Sequence, residues 1–261
     1  MQRKGVVIIM KLALGYIFSN ILGIVLLVLM AKEAKKERVP AKTIVLMIIT
    51  GCLSIIPIIV LQTVFGYVGE ISWFNSHPLL QEIVMVPIRL ALIEELCKFF
   101  GAKIVTWKGD YFNNSYQGVL FPAIVSLSFG IVENLLFVAL SLQQFKDQFW
   151  TIIILRALLG APAHGAYGIL IGIFYGKAKC AERQKDKTGK YKYLSIAVLT
   201  PACIHGLYNW LTNSQIVKIG DTSIVSNAMM VVDVIVILCA YCVLYRSKSK
   251  KQIWEKSFNY D

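Results

Sequence analysis

The chain has 261 residues, 57% of them hydrophobic and only 16% charged, with a net charge of +12. Its mean hydropathy of +0.64 excludes a soluble globular domain, which has about 25% charged residues. It equally excludes a disordered chain, which would lack so much Leu, Ile, Val and Phe. Apolar blocks exceed the ~20 residues that cross a bilayer, so the sequence is that of an integral membrane protein.

Seven spans are predicted in chain order, over residues 5–31, 43–67, 83–106, 117–140, 149–176, 193–211 and 225–245. They are expected to be helices, because lipid offers no partner for open backbone groups and no ten-residue alternating pattern of barrel strands is present. The first span follows basic residues, as a signal peptide would. It is too long for a signal-peptide core and lacks a small-residue cleavage site, so it reads as a retained helix. The expected fold is therefore an all-α, polytopic transmembrane bundle forming one membrane domain over 1–261. Its catalytic core is expected over spans three to six, residues 83–212, with flanking spans at 5–31, 43–67 and 225–245.

Of the basic residues between spans, 18 fall on one side and 4 on the other. The richer side holds Lys32 to Lys42, Lys108, Lys177 to Lys192 and the tail from Arg246 to Lys256. The poorer side holds Arg3, Lys4, Lys146 and Lys218. The positive-inside rule then predicts an N-terminus outside and a C-terminus in the cytoplasm. Anionic lipid at the cytoplasmic face accounts for this excess, with no nucleic-acid partner needed. Five of the six cysteines lie within spans. The Cys239/Cys242 pair has no second pair to complete a zinc site.

Ionisable residues at bilayer depth are costly and mark functional sites. Span three contains Arg89, Glu94, Glu95 and Lys98, span four Glu133, span five Arg156 and His164, span six His205, and span seven Asp233. The first two spans have only Lys11 and read as lipid-facing or packing elements. Counted along their helices, Glu94, Glu133, His164 and His205 share a layer roughly 9–23 Å below the outer surface. Glu94 and Lys98 are spaced to pair on one face. His205 and Asn209 also share a face, and the small residues around Pro162 and His164 allow close helix approach. Lys98 and Arg156 are expected in buried ion pairs, Asp233 in a structural role, and Arg89 is expected to snorkel.

Carboxylates, imidazoles and an amide at one depth suit three chemistries. A Glu can activate water while His and Asn stabilise an oxyanion. Glu and His can hold zinc. Carboxylates can relay protons through a transporter or channel, although no internal repeat supports that. A non-catalytic membrane scaffold is a further alternative.

Four segments in order, Glu94-Glu-Leu-Cys-Lys98, Ser128-Phe-Gly-Ile-Val-Glu133-Asn134, Arg156 leading to Pro162-Ala-His164-Gly165, and His205-Gly-Leu-Tyr-Asn209, resemble the motif series of the PrsW intramembrane proteases. The wider superfamily includes the type II prenyl (CAAX) endopeptidases, with which the chain shares the Glu pair and HxxxN. It departs from them where Glu133 stands at the histidine of their FxxxH motif and Phe99 at the arginine of their EExxxR motif. The resemblance implies cleavage of a single-span membrane protein, such as an anti-sigma factor, near its extracytoplasmic face. It assigns catalysis to Glu94, Glu95, Glu133, His164, His205 and Asn209, with Glu94 as base and His205 and Asn209 as oxyanion donors. The base's partner is left between Glu133 and His164. A metal-free site is favoured, with zinc on Glu94, Glu133, His164 and His205 as the alternative.

Overall fold

The computed structural model describes the backbone of residues 2–70, 76–85, 87–213 and 222–254, and the side chains of 6–68, 70, 76–85, 87–212 and 228–254. Of the charges counted above, the side chains of Arg3, Lys4, Lys218 and Lys256 lie outside the described residues.

Helix α1 (Gln2–Lys36) is followed by α2 (Ala41–Leu53) and α3 (Ile55–Gly69), joined at Ser54 and together forming the second span. The third begins with a turn at Pro78–Leu80, passes through π-helical stretches at Gln81–Met85 and Ile88–Leu92, and continues as α4 (Ile93–Thr106). Then come α5 (Ser115–Gln144), α6 (Phe149–Leu155), a π-helical stretch at Arg156–Gly160, α7 (Ala161–Arg183), α8 (Lys187–Asn213) and α9 (Thr222–Ser249). Among the described residues six helices are long and apolar enough to cross a membrane. The predicted third span is not one of them: its helical residues 87–106 carry Arg89, Glu94, Glu95, Lys98 and Lys103, and π-helical turns interrupt it as well. Hydropathy registers the length of an apolar run and is blind to its helical register. No strand forms among the described residues; Asn114 and Ile253 make one isolated antiparallel bridge.

Two of the π-helical stretches have an identifiable cause. Proline lacks the N–H that would bond the carbonyl one turn back, and Pro87 follows the stretch at Gln81–Met85 as Pro162 follows the one at Arg156–Gly160. The stretches at Ile88–Leu92 and Arg156–Gly160 adjoin the intramembrane charges, a common position for such bulges.

Helices α5 and α7 form the centre of the bundle. Lipid tails are as apolar as leucine, so close van der Waals contact has to hold them together. At Gly172 a Cβ would stand 2.5 Å from the Val119 Cα, so only glycine permits this crossing. α1 and α2 pack on α5, and α8 and α9 pack on α7. The outward faces of α1, α3 and α9 expose residues such as Ile9, Val60 and Leu238, as helices facing lipid require. At the basic end Glu37 pairs with Lys251 at 2.9 Å and Trp254 N–H donates to the Asn113 carbonyl at 2.8 Å, tying the last described residues to the start of α5.

Candidate active site

A cavity of about 370 Å³ opens between the third span, α5, the π-helical stretch after α6, α7, α8 and α9. Glu94, Glu133, Arg156, His164, His205, Asn209 and Asp233 line it. Glu95 and Lys98 lie just behind, fully buried. The layer expected from helix counting is therefore one physical chamber. Helix α8 reaches it through Gly206, where a Cβ would stand 2.9 Å from the Pro87 Cβ. That close approach carries the neighbouring His205 against α4.

The polar contacts form one directed network. Glu95 Oε1 accepts from Lys98 Nζ at 2.6 Å and lies 2.9 Å from His205 Nδ1. A carboxylate oxygen only accepts, so His205 Nδ1 carries the proton and Nε2 is the ring nitrogen left for chemistry. Lys98 Nζ is also 3.1 Å from His164 Nδ1, and His164 Nε2 is 3.0 Å from Glu133 Oε2. An ammonium only donates, so Nδ1 of His164 accepts and its Nε2–H donates to Glu133. Arg156 donates to the same Glu133 oxygen. Both nitrogens of His164 are thus engaged. The aromatic rings fix the imidazoles: Tyr167 stacks on His205 at 4.7 Å, and Phe129 meets His164 edge-on at 4.9 Å.

Glu94 is held differently. Its Oε1 accepts from Gln62 Nε2 of α3 at 3.1 Å. Its Oε2 is buried with no hydrogen-bond partner among the described residues, as is the Oε2 of Glu95. Around the chamber four carboxylates, Glu94, Glu95, Glu133 and Asp233, face two fixed cations, Lys98 and Arg156. With neutral imidazoles that is four negative charges against two positive, a formal excess of two. Uncompensated charge is expensive in a low-dielectric interior, and two protons or one divalent cation would cancel it. Ligand atoms of Glu94, Glu95 and His205 lie within 4.8 Å of one another, and so do those of Glu94, Glu133 and His164. Two carboxylate oxygens lacking partners beside an imidazole nitrogen suit a divalent ion.

Several expectations change. Lys98 pairs with Glu95, three residues away, and its predicted partner Glu94 is bound by Gln62 instead. Both spacings lie on one helix face; His164 draws Lys98 inward, and His205 holds Glu95 beside it. Arg156 does form an ion pair, with Glu133, but the pair is only partly buried, at the cavity wall. Asp233 accepts from the Tyr167 hydroxyl at 3.0 Å and faces the cavity. Arg89 donates to the Gln62 carbonyl at 2.9 Å, at the exposed edge of the bundle. Cys239 and Cys242 are free and exposed. The sequence reading missed Gln62, Ser19 and Asn20, and gave Asn134 no role beyond its place in a motif. Asn134 Oδ1 accepts from Arg156 Nε at 2.7 Å, while its Nδ2 donates to the Ser19 carbonyl at 2.9 Å and to Asn20 Oδ1 at 3.1 Å. The first helix is thereby wired to Glu133. A buried amide within an apolar run was the available signal.

A family model described as PrsW family intramembrane metalloprotease matches residues 39–240. The Protease PrsW of Oceanobacillus iheyensis is 30% identical over 172 residues, 66% of this chain and 71% of that protein. That of Geobacillus kaustophilus is 29% identical over 189 residues, covering 72% and 75%. That of Bacillus subtilis is 27% identical over 191 residues, covering 72% and 78%. No solved structure matches the chain.

Proposed function

The chain belongs to the PrsW family of intramembrane metalloproteases, and on that premise we propose that its buried chamber hydrolyses a peptide bond of a single-span membrane protein of the anti-sigma-factor class. The protein is a multi-pass membrane protease. The observation that carries the finer reading is the Glu94 Oε2 oxygen, buried without a partner among the described residues in the cavity that also holds His205 and Asn209.

In this reading Glu94 holds the attacking water and takes its proton, with Gln62 fixing the other carboxylate oxygen. Asn209 lies one helical turn beyond His205 and supplies an amide N–H to the developing oxyanion. His205, its Nδ1–H held by Glu95, turns the unprotonated Nε2 toward the chamber. Lys98 holds Glu95 in place. Glu133, bound by Arg156 and His164, forms the opposite wall and orients the His164 ring.

The expectation of a metal-free site gives way to a divalent ion as the better-supported reading, on the charge excess and the family's description as metalloproteases. Glu94, Glu95 and His205 would hold it. His164 is the weaker ligand because both of its nitrogens are engaged. When bound, a zinc ion supplies Lewis acidity toward water and a peptide carbonyl.

The distribution of basic residues supports an N-terminus outside, which puts the chamber in the outer half of the bilayer and the cut near the extracytoplasmic face. Anionic lipid would meet the basic end. Co-expression with a tagged single-span anti-sigma factor from the same genome tests the reading. Wild type is expected to release the extracytoplasmic fragment, and Glu94→Gln to insert normally and release none. Undiminished release by Glu94→Gln would refute the assignment.

A further inference from the structure

A second cavity, of about 870 Å³, lies between α1, the π-helical stretch before α7, and α9. Its walls are apolar throughout apart from the Tyr241 hydroxyl. Leu22 and Leu26 come from α1, Leu158 and Pro162 from the α6–α7 segment, and Ile235 and Leu238 from α9. Leu155, Leu159 and Met230 line both this groove and the chamber that holds Glu94 and His205. The two cavities therefore meet. Along α9 the groove runs from Met230 to Tyr241, about 16 Å at 1.5 Å per residue. That is three helical turns, roughly half of a ~30 Å hydrocarbon core. Its outer lip is open to the surroundings, with Leu158 55% and Leu238 61% exposed.

We propose that this groove is the track along which the protease takes the apolar transmembrane helix of its substrate from the side, delivering one end of it to the catalytic chamber. The inference rests on the functional reading above and adds where the substrate lies. Continuity with the chamber selects this occupant. A peptide bond must reach Glu94, and the groove joins an apolar wall of helix length directly to the polar residues. On α9 the change occurs within a few residues: Asp233 faces the chamber, whereas Val234, Ile235 and Leu238 face the groove. A segment lying in the groove keeps its apolar side chains out of water until the point where its backbone meets polar groups. The groove extends from Met230 toward the basic end of the bundle, so the delivered end is the one nearer the opposite face. The cut then falls toward the end of the substrate helix farther from the basic loops.

Helix α9 can admit such a guest because its polar ties to α7 are few. Among the described residues these are Tyr167 to Asp233 at 3.0 Å and Tyr241 to the Pro162 carbonyl at 3.4 Å. Its remaining contacts there are apolar and can be exchanged for those of another apolar helix.

The test fills the groove without touching the chamber. Leu238→Trp and Ile235→Trp are compared with Val60→Trp, an exposed position on α3 away from both cavities. Each is assayed in proteoliposomes on the single-span anti-sigma factor and on a short water-soluble peptide carrying the same scissile sequence. The groove variants are expected to lose about tenfold or more in kcat/KM on the membrane substrate, equivalent to about 1.4 kcal/mol of transition-state binding. They should cleave the peptide within about twofold of wild type, and Val60→Trp should match wild type on both. Equal cleavage of the membrane substrate by all three variants would overturn the proposal and assign the groove to lipid acyl chains. A parallel loss on both substrates would also overturn it, as a folding effect. A photo-crosslinker at position 238 in the Glu94→Gln protein gives a readout independent of turnover. It should capture the anti-sigma factor's transmembrane segment, and the same crosslinker at position 60 should not. Failure of wild type to cleave either substrate would strike the functional reading, whereas failure of the crosslink alone would strike the groove.

Discussion

Lys98 is the most exacting test of the buried charge network. Its side chain is fully buried, with Nζ 2.6 Å from Glu95 Oε1 and 3.1 Å from His164 Nδ1. Lys98→Met keeps an unbranched apolar stem of similar bulk but leaves the fully buried Glu95 carboxylate with His205 as its remaining bonded partner. Breaking one side of a buried pair costs about 3–5 kcal/mol, and that loss is expected for the single variant. In Glu95→Gln/Lys98→Met both charges are gone, and a Gln oxygen can still accept from His205 Nδ1. The double variant should return to within about 1 kcal/mol of wild type, since replacing a whole buried pair is often neutral. Reversible unfolding in bicelles measures both. A Lys98→Met protein within about 0.5 kcal/mol of wild type, the range of ordinary surface substitutions, would refute the reasoning. So would a double variant no more stable than the single one.

Gly172→Val should destabilise the α5–α7 crossing by about 1–3 kcal/mol, measured by the same unfolding, because its Cβ would stand 2.5 Å from the Val119 Cα. Gln62→Leu removes the hydrogen bond to Glu94 Oε1. Bonds to charged groups are worth about 1.5–3 kcal/mol, so kcat should fall by about ten- to a hundredfold in a steady-state cleavage assay, with KM unchanged. Asn20→Leu severs the Asn134 bond at 3.1 Å. Stability should fall by about 0.6 kcal/mol, the mean for interhelical polar contacts in membranes. In the same assay kcat should fall, because Asn134 in turn holds Arg156 against Glu133.

The sequence made the membrane spans and the depth of the charged residues legible for a simple reason. Hydropathy and helical rise are one-dimensional quantities, and Glu94, Glu133, His164 and His205 do line one cavity. Partner choice was less legible. Lys98 could reach either neighbour along the helix, and its partner was decided from two other helices, by His164 bonding Lys98 and His205 bonding Glu95. Gln62 and Asn20 escaped notice, and Asn134 was given no role, because a neutral amide inside an apolar run barely alters its hydropathy, although each hydrogen-bonds across helices. The π-helical turns of the third span were likewise invisible, since they change register and leave composition untouched. For Asp233 the structural reading was partly right: it accepts a bond from Tyr167, whose ring packs on His205, and it also lines the chamber.

The most direct test of the account is the metal content of the purified protein, measured with its activity on the proposed anti-sigma-factor substrate in proteoliposomes. Wild type is expected to hold about one divalent ion per chain, to lose it together with cleavage on chelation, and to regain both when zinc is returned. His205→Ala should fold and retain neither. A fully metal-free protein that cleaves at the undiminished wild-type rate would contradict the account and return the chemistry to Glu94 and water alone.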